Sequence, residues 1–314
     1  MKLRYIFVAI SLGVLALIGG CQGLSAKPDS APPTAYGKQP AEYTDDLGRK
    51  VLLPGVPQRI ISLSPSNTEL VYALGLDDKL IGVTTYCNYP PQVKDKPKVS
   101  EYSQVDIEKV VSLKPDLILA DNIHKADVIP ALEKLGLKVI EFDPPDLARV
   151  MGDLEMLGRI GGKTQEALSL VASLQGRIKA VTDKTDKLTS SEKARAFFLT
   201  WHDPLWTAGS GTMINELIDR AGGNNIAGDL GGHSQIDLET VIQRNPQVIF
   251  VMTSMGDQDT SFNYIKTEPR FQSTDAVKNG RVYRVDSDIF GRTTPRCIDG
   301  LEQMSRLMHP ATFK

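Results

Sequence analysis

Asp106-Ile-Glu-Lys-Val-Val-Ser-Leu-Lys-Pro-Asp-Leu-Ile-Leu-Ala120 lies without gaps on Asp237-Leu-Glu-Thr-Val-Ile-Gln-Arg-Asn-Pro-Gln-Val-Ile-Phe-Val251. At the single offset of 131, Asp106 meets Asp237, Glu108 meets Glu239, Val110 meets Val241 and Pro115 meets Pro246. Each copy reads as a short helix, a proline stop and a buried strand, Leu117 to Ala120 and Val248 to Met252. Proline cannot continue a helix and pushes its predecessor toward extended geometry, so the break has a steric cause. A weaker echo precedes each copy. Ser66-Asn67-Thr68-Glu69 has the capping-box pattern and opens a helix that Gly75 closes, while Gly209-Ser210-Gly211-Thr212 opens one that ends at Gly222-Gly223. A chain that runs strand, loop, helix, strand in both halves predicts two similar lobes.

The other apolar, β-branched runs are Arg59 to Leu63, Leu80 to Thr85, Val139 to Phe142, Ala196 to Trp201 and Val282 to Val285. Alternating with helical patterns, they predict an α/β fold of Rossmann-like lobes, with parallel sheets covered on both faces. Between the halves, Ala167, Leu168, Val171, Leu174, Ile178 and Val181 recur at three- and four-residue steps without a proline. That spacing predicts one long helix joining the lobes. The expected division is residues 43–162 for the first lobe, 163–190 for the linking helix and 191–314 for the second lobe.

The amino-terminal residues set the expected address. Lys2 and Arg4 precede an apolar run from Ile6 to Ile18, too short for the roughly 20 residues that span a bilayer. Residues 1–20 therefore read as a signal peptide. Leu17-Ile18-Gly19-Gly20-Cys21 resembles the lipobox of bacterial lipoproteins, with Cys21 the residue that takes the lipid. Residues 21–42, with Pro28, Pro32, Pro33 and Pro40 among small polar residues, read as a tether. The expected location is the periplasmic or extracellular face of a bacterial membrane, held by the lipid alone.

About 270 residues remain, enough for two cores. A formal charge of −2, without a basic stripe, argues against nucleic acid. Of three cysteines, Cys87 and Cys297 remain after Cys21, and their spacing leaves pairing open. Signs of catalysis are missing. Gly161-Gly162-Lys163-Thr164 evokes a phosphate loop, but Leu157 stands where that motif needs glycine, so it reads as a helix break and restart. There is no Gly-x-Ser-x-Gly and no His-Glu-x-x-His, and His124, His202, His233 and His309 show no metal-ligand spacing. Two thiols are too few for a metal cluster. The chain reads as a binder without a resident cofactor.

Ligands of doubly wound sheets sit beyond the carboxyl ends of the strands. There the chain carries Tyr86-Cys87-Asn88-Tyr89-Pro90-Pro91, Glu101-Tyr102-Ser103, Trp201-His202-Asp203-Pro204-Leu205-Trp206 and Asp286-Ser287-Asp288-Ile289-Phe290-Gly291-Arg292. Flat apolar rings with a few charges suit a large ring-bearing solute. Arg292 and Arg296 offer donors to polar groups on it.

Arg59-Ile-Ile-Ser-Leu-Ser-Pro-Ser-Asn-Thr-Glu69, Tyr86-Cys-Asn-Tyr-Pro-Pro91, Lys114-Pro-Asp-Leu-Ile-Leu-Ala120, Trp206-Thr-Ala-Gly209 and Thr294-Pro-Arg296 with Asp299-Gly-Leu-Glu302 resemble the binding proteins of ABC importers for cobalamin, iron–siderophores and haem. The likeness spans about residues 43 to 310, and the Asn-Thr-Glu and Tyr-x-x-Tyr-Pro-Pro segments look most like the cobalamin branch. It implies a monomer of two Rossmann-like lobes on one helical backbone. It also implies solute contacts at Tyr86, Tyr102, Trp201, Asp288 and Arg292, with His233 as a further candidate; Phe290 joins them from the strand-end reading. Glu108 and Glu239 match the glutamates that such proteins present to permease arginines. The implied partners are an ABC permease and ATPase, and the implied solute is a cobalt corrinoid, with a ferric siderophore or haem as the alternative. Asp121 and His233 stand where cobalamin binders can carry aromatics, so the cleft is expected to be less apolar.

Overall fold

The computed structural model describes residues 40–314 apart from Tyr102 and residues 254–258. The leader, Cys21 and most of the tether therefore lie outside the described residues, as does Tyr102. The described chain opens with a hairpin of β1 (Ala41–Thr44) and β2 (Lys50–Leu53). Ala41 and Glu42, read above as the end of the tether, pair with Leu53 and Leu52.

Then come β3 (Ile60–Ser62), α1 (Pro65–Ala73), β4 (Leu80–Thr84) and β5 (Lys98–Ser100). They are followed by α2 (Ile107–Ser112), β6 (Leu117–Ala120), α3 (Val128–Lys134), β7 (Val139–Glu141) and α4 (Leu147–Gly161). The first helix starts two residues earlier than its capping-box pattern predicts. Ser64 is its N-cap, accepting from the Asn67 amide at 3.2 Å, and Pro65 takes the first turn, where no amide hydrogen is needed. The five strands form one parallel sheet in the order β5-β4-β3-β6-β7. The reversal between β3 and β6 is the switch point at which doubly wound sheets open a crevice.

Helix α4 stops where Gly162 adopts φ 73°, a left-handed cap, and α5 (Thr164–Thr185) restarts at once, as the glycine pair predicts. Ala167, Val171, Leu174 and Val181 are buried on α5, whereas Leu168 of the predicted stripe faces outward.

The second half holds β8 (Ala194–His202), β9 (Leu205–Ala208), α6 (Met213–Arg220), β10 (Gly223–Asn225) and β11 (His233–Gln235). It continues with α7 (Leu238–Arg244), β12 (Val248–Thr253), α8 (Thr260–Thr267), α9 (Asp275–Lys278) and β13 (Val282–Asp286), and ends with α10 (Ser287–Phe290) and α11 (Cys297–Met308). Strands β10, β8, β12 and β13 are parallel, in the arrangement that β4, β3, β6 and β7 have in the first sheet. The expectation of a wholly parallel sheet fails at one edge. β8 turns back through Asp203-Pro204 into antiparallel β9, which pairs with β11.

Helix α5 binds the halves together. Arg177 donates to Asp299 at 2.6 Å and to Glu302 at 2.8 Å on α11, and Thr185 donates to the Arg220 carbonyl at 2.8 Å. A single buried apolar cluster runs from Leu70 and Val150 through Val171 and Leu174 to Phe198 and Met304. Bending α5 would open that cluster to water, at about 25 cal/mol per Å² of apolar surface.

Candidate functional site

The carboxyl ends of both sheets meet at one seam. From the first lobe, α1 supplies Glu69 and the loop after β4 supplies Asn88. From the second, α10 and the segment after it supply Asp288, Arg292 and Arg296. Nη1 of Arg292 donates to Glu69 at 2.9 Å and to Asn88 Oδ1 at 2.8 Å, and its Nη2 lies 2.7 Å from Asp288. Asn88 Nδ2 donates to Asp288 at 2.6 Å. Arg296 donates to Glu69 at 3.1 Å and lays its guanidinium 4.1 Å from the centre of the Tyr89 ring. Glu69 is only 4% exposed; burial pushes its pKa up, and the two arginines oppose that rise. A second polar contact crosses the seam where Glu216 of α6 accepts the Leu147 amide of α4 at 2.9 Å.

Beside this seam lies a cavity of about 470 Å³, walled by Asp143 and Pro145 of the first lobe and by Thr200, His233, Met252 and Phe290 of the second. That volume falls in the range of small-molecule pockets. His233, the first residue of β11, is exposed on its strand but lines this cavity, where desolvation lowers its pKa.

Tyr86, just beyond β4, and Trp201, near the carboxyl end of β8, are 58% and 47% exposed. Trp201 is held in place: its Nε1 donates to the Asp203 carbonyl at 2.8 Å, and its ring lies 4.9 Å from that of His202. His202 in turn bonds Ser261 at 3.0 Å. Gly209, in the Trp206-Thr-Ala-Gly209 motif, meets the Leu230 carbonyl so closely that a Cβ would clash with it. The remaining predicted contacts are placed differently from Tyr86 and Trp201. Phe290 is 2% exposed and packs 5.7 Å from Phe198, so its ring belongs to the core although the residue also lines the cavity. Both guanidinium Nη groups of Arg292 are committed to protein acceptors, and Asp288 is committed to Arg292 and Asn88.

Glu108 and Glu239 occupy the second position of α2 and α7, both exposed, and Glu239 pairs with Arg270 at 2.8 Å. Cys87 and Cys297 are free, buried thiols, which closes the question of their pairing. Cys87 contacts Thr68 and Thr84, whereas Cys297 donates to the Arg292 carbonyl. Among the described residues no three His, Cys, Asp or Glu side chains converge to hold a metal, and no helix is long and apolar enough to cross a membrane.

The family model described as periplasmic binding protein matches residues 60–289. The chain belongs to the periplasmic binding protein family. Membership makes it a solute binder rather than an enzyme, in line with the strand-end reading. The binding protein is 34% identical, over its whole length and that of its relative, to an uncharacterized ABC transporter substrate-binding lipoprotein of Bacillus subtilis strain 168. The crystal structure of the periplasmic vitamin B12 binding protein of Vibrio cholerae superposes with a TM-score of 0.69 at 27% identity, covering 82% of this chain and 99% of that one. A periplasmic heme binding protein from Pseudomonas aeruginosa superposes with a TM-score of 0.73 at 27% identity, covering 82% of this chain and 94% of that one.

Glu69 and Asn88 were not singled out as site residues in the sequence of this binding protein. Glu69 carries a capping-box signal and closes the Asn-Thr-Glu segment of the family resemblance, but neither assigns its side chain a role. Its one further sign was a carboxylate within Leu63-Ser64-Pro65-Ser66-Asn67-Thr68-Glu69-Leu70-Val71, a segment otherwise without charge.

Proposed function

We propose that this binding protein captures cobalamin or a related corrinoid between its lobes and delivers it to the permease of an ABC importer. In this reading the chain is exported, held to a membrane by lipid on Cys21, and docked through Glu108 and Glu239. Tyr86, Tyr102 and Trp201 supply flat apolar faces to the solute, and His233 lies at the cavity where a metal-centred ring would bring its axial side.

The charge balance at the seam carries the choice of solute. Arg292 and Arg296 are the cations expected to greet an anion, and both are neutralised by Glu69 and Asp288. A ferric chelate or haem brings several negative charges into such a cleft and needs unpaired cations there. A corrinoid rich in neutral amides needs rings and acceptors instead. Haem stays as the second reading because the His233 imidazole lines the cavity wall.

The deciding experiment titrates the mature domain with cyanocobalamin, haemin and ferric chelates, followed by tryptophan fluorescence and calorimetry. Micromolar or tighter corrinoid binding that weakens about tenfold or more in Trp201→Ala is the expected result. Silence toward corrinoids with a clear haemin signal transfers the assignment to the second reading.

A further inference from the structure

We infer that Glu69 is the positioning residue of an interlobe clasp, which sets the width of the cleft before any solute arrives. Four charged side chains and one amide form it: Glu69 and Asn88 from the first lobe, Asp288, Arg292 and Arg296 from the second. Two carboxylates balance two guanidinium groups, so the cluster is neutral as a unit. Glu69 is its centre, because a single oxygen, Oε1, receives both arginines.

Three observations separate a clasp from an ordinary surface ion pair. The first is burial: the side chains of Glu69, Arg292 and Arg296 are 3%, 12% and 16% exposed, and removing one partner from such a cluster strands the others without water to replace it. The second is reach. The bonds span 200 to 227 positions of chain and join α1 and the loop after β4 to α10 and the start of α11. The third is redundancy. Arg292 is held at once by Glu69, Asn88 and Asp288, a geometry that a guanidinium keeps because its donors are fixed in one plane.

Beside α5 and the Leu147–Glu216 bond, the clasp gives the lobes a further point of attachment. These attachments together leave little freedom for hinge closure, so the strand ends carrying Tyr86 and Trp201 are held in place in advance. Binding then loses less conformational freedom. Arg292, expected from the sequence as a solute contact, works here through the lobes instead.

The test uses the solute-free mature domain, so its outcome does not depend on which solute the cleft takes. Hydrogen exchange is compared between wild type and Glu69→Gln. The expected result is exchange about tenfold faster across residues 288–297 of the opposite lobe, with the amides of α5 unchanged and a larger radius of gyration in solution scattering. Faster exchange confined to α1 and its own sheet, or no change, overturns the clasp. Should Glu69→Gln fail to fold, Asn88→Ala with Asp288→Asn removes the outer bonds at two half-buried positions, one in the loop after β4 and one in α10. That pair must speed exchange in residues 84–90 and 288–297 together, and an unchanged pattern overturns the inference equally. Melting points of Glu69→Gln, Arg292→Gln and the double variant complete the cycle: coupled effects support the clasp, and simple additivity removes it.

Discussion

Lys114 and Asn245 both hold left-handed backbone, φ 49° and 42°, at matching steps of the duplicated unit. Each follows a helix and precedes a proline, and each offers its carbonyl to an arginine at the amino end of the neighbouring strand. Arg59 Nε donates to Lys114 O at 3.0 Å and Arg195 Nε to Asn245 O at 2.9 Å. The amides of the same arginines are received by Asp116 at 2.9 Å and by Gln247 at 2.9 Å. The repeat therefore persists in hydrogen bonds as well as in letters.

The shared strain predicts unequal responses to glycine. An L-residue in the left-handed region costs about 1–2 kcal/mol, part of which glycine recovers. Lys114→Gly should stabilise the domain by up to about 1 kcal/mol in urea unfolding. Asn245→Gly should show no gain, because its side chain also accepts the Asp275 amide at 2.8 Å, a bond worth about 1 kcal/mol. Equal gains at both sites would contradict this.

A carboxylate cluster in the first lobe predicts acid-favoured stability. Burial, then the charge of Asp46, raises Glu141 from 4.5 to about 8 and Asp153 from 3.8 to about 9. Burial, then Asp121 and Asp46, raises Asp143 from 3.8 to about 6. Arg49 and Arg149 are the cations placed among them, paired chiefly with Asp45 and Asp46. The folded chain keeps protons that the unfolded chain releases above its ordinary carboxyl range. The stability these groups contribute is therefore full below pH 4 and lost as pH rises through 6 to 9. Calorimetry should show a melting point that falls over that window. Glu141→Gln with Asp153→Asn should flatten the fall and raise the melting point at pH 8 by roughly 3 °C, the effect of about 1 kcal/mol.

Exposure separates the rings that should matter for binding from those that matter for folding. Trp201→Ala and Tyr86→Ala remove half-exposed rings and should weaken solute binding while shifting stability by less than about 1 kcal/mol. Phe290→Ala should cost about 3–5 kcal/mol through the cavity it leaves beside Phe198. A stable Phe290→Ala domain with lost binding would reverse that division.

Docking should depend on the two glutamates together. Glu108→Ala with Glu239→Ala is expected to abolish uptake in cells and leave solute affinity intact, since both side chains are exposed on the first turns of α2 and α7. Loss of affinity would place them in the cleft instead. Arg270→Ala frees Glu239 from its partner, so it should alter uptake and leave solute affinity unchanged.

Much of the fold could be read from local pattern. Proline stops, glycine caps and the three- and four-residue apolar steps act within a few residues, so α2, β6, α7, β12 and α5 lie close to where the sequence places them. The hairpin of β1 and β2 and the antiparallel edge of β9 and β11 were missed. Their pairing partners are chosen by tertiary neighbours, and runs of three or four residues carry little periodicity. The exposure of Tyr86 and Trp201 follows from their places beside the carboxyl ends of β4 and β8, which the strand pattern locates.

By itself the sequence determined the duplicated α/β plan, the helical connection and the kind of residue at each strand end, because these follow from short-range sterics and periodicity. Only the tertiary structure decided which of those residues stay available. Whether Arg292 meets a solute or Glu69 depends on partners 223 positions apart, and a charge buried between lobes takes whichever opposite charge the packing brings within reach.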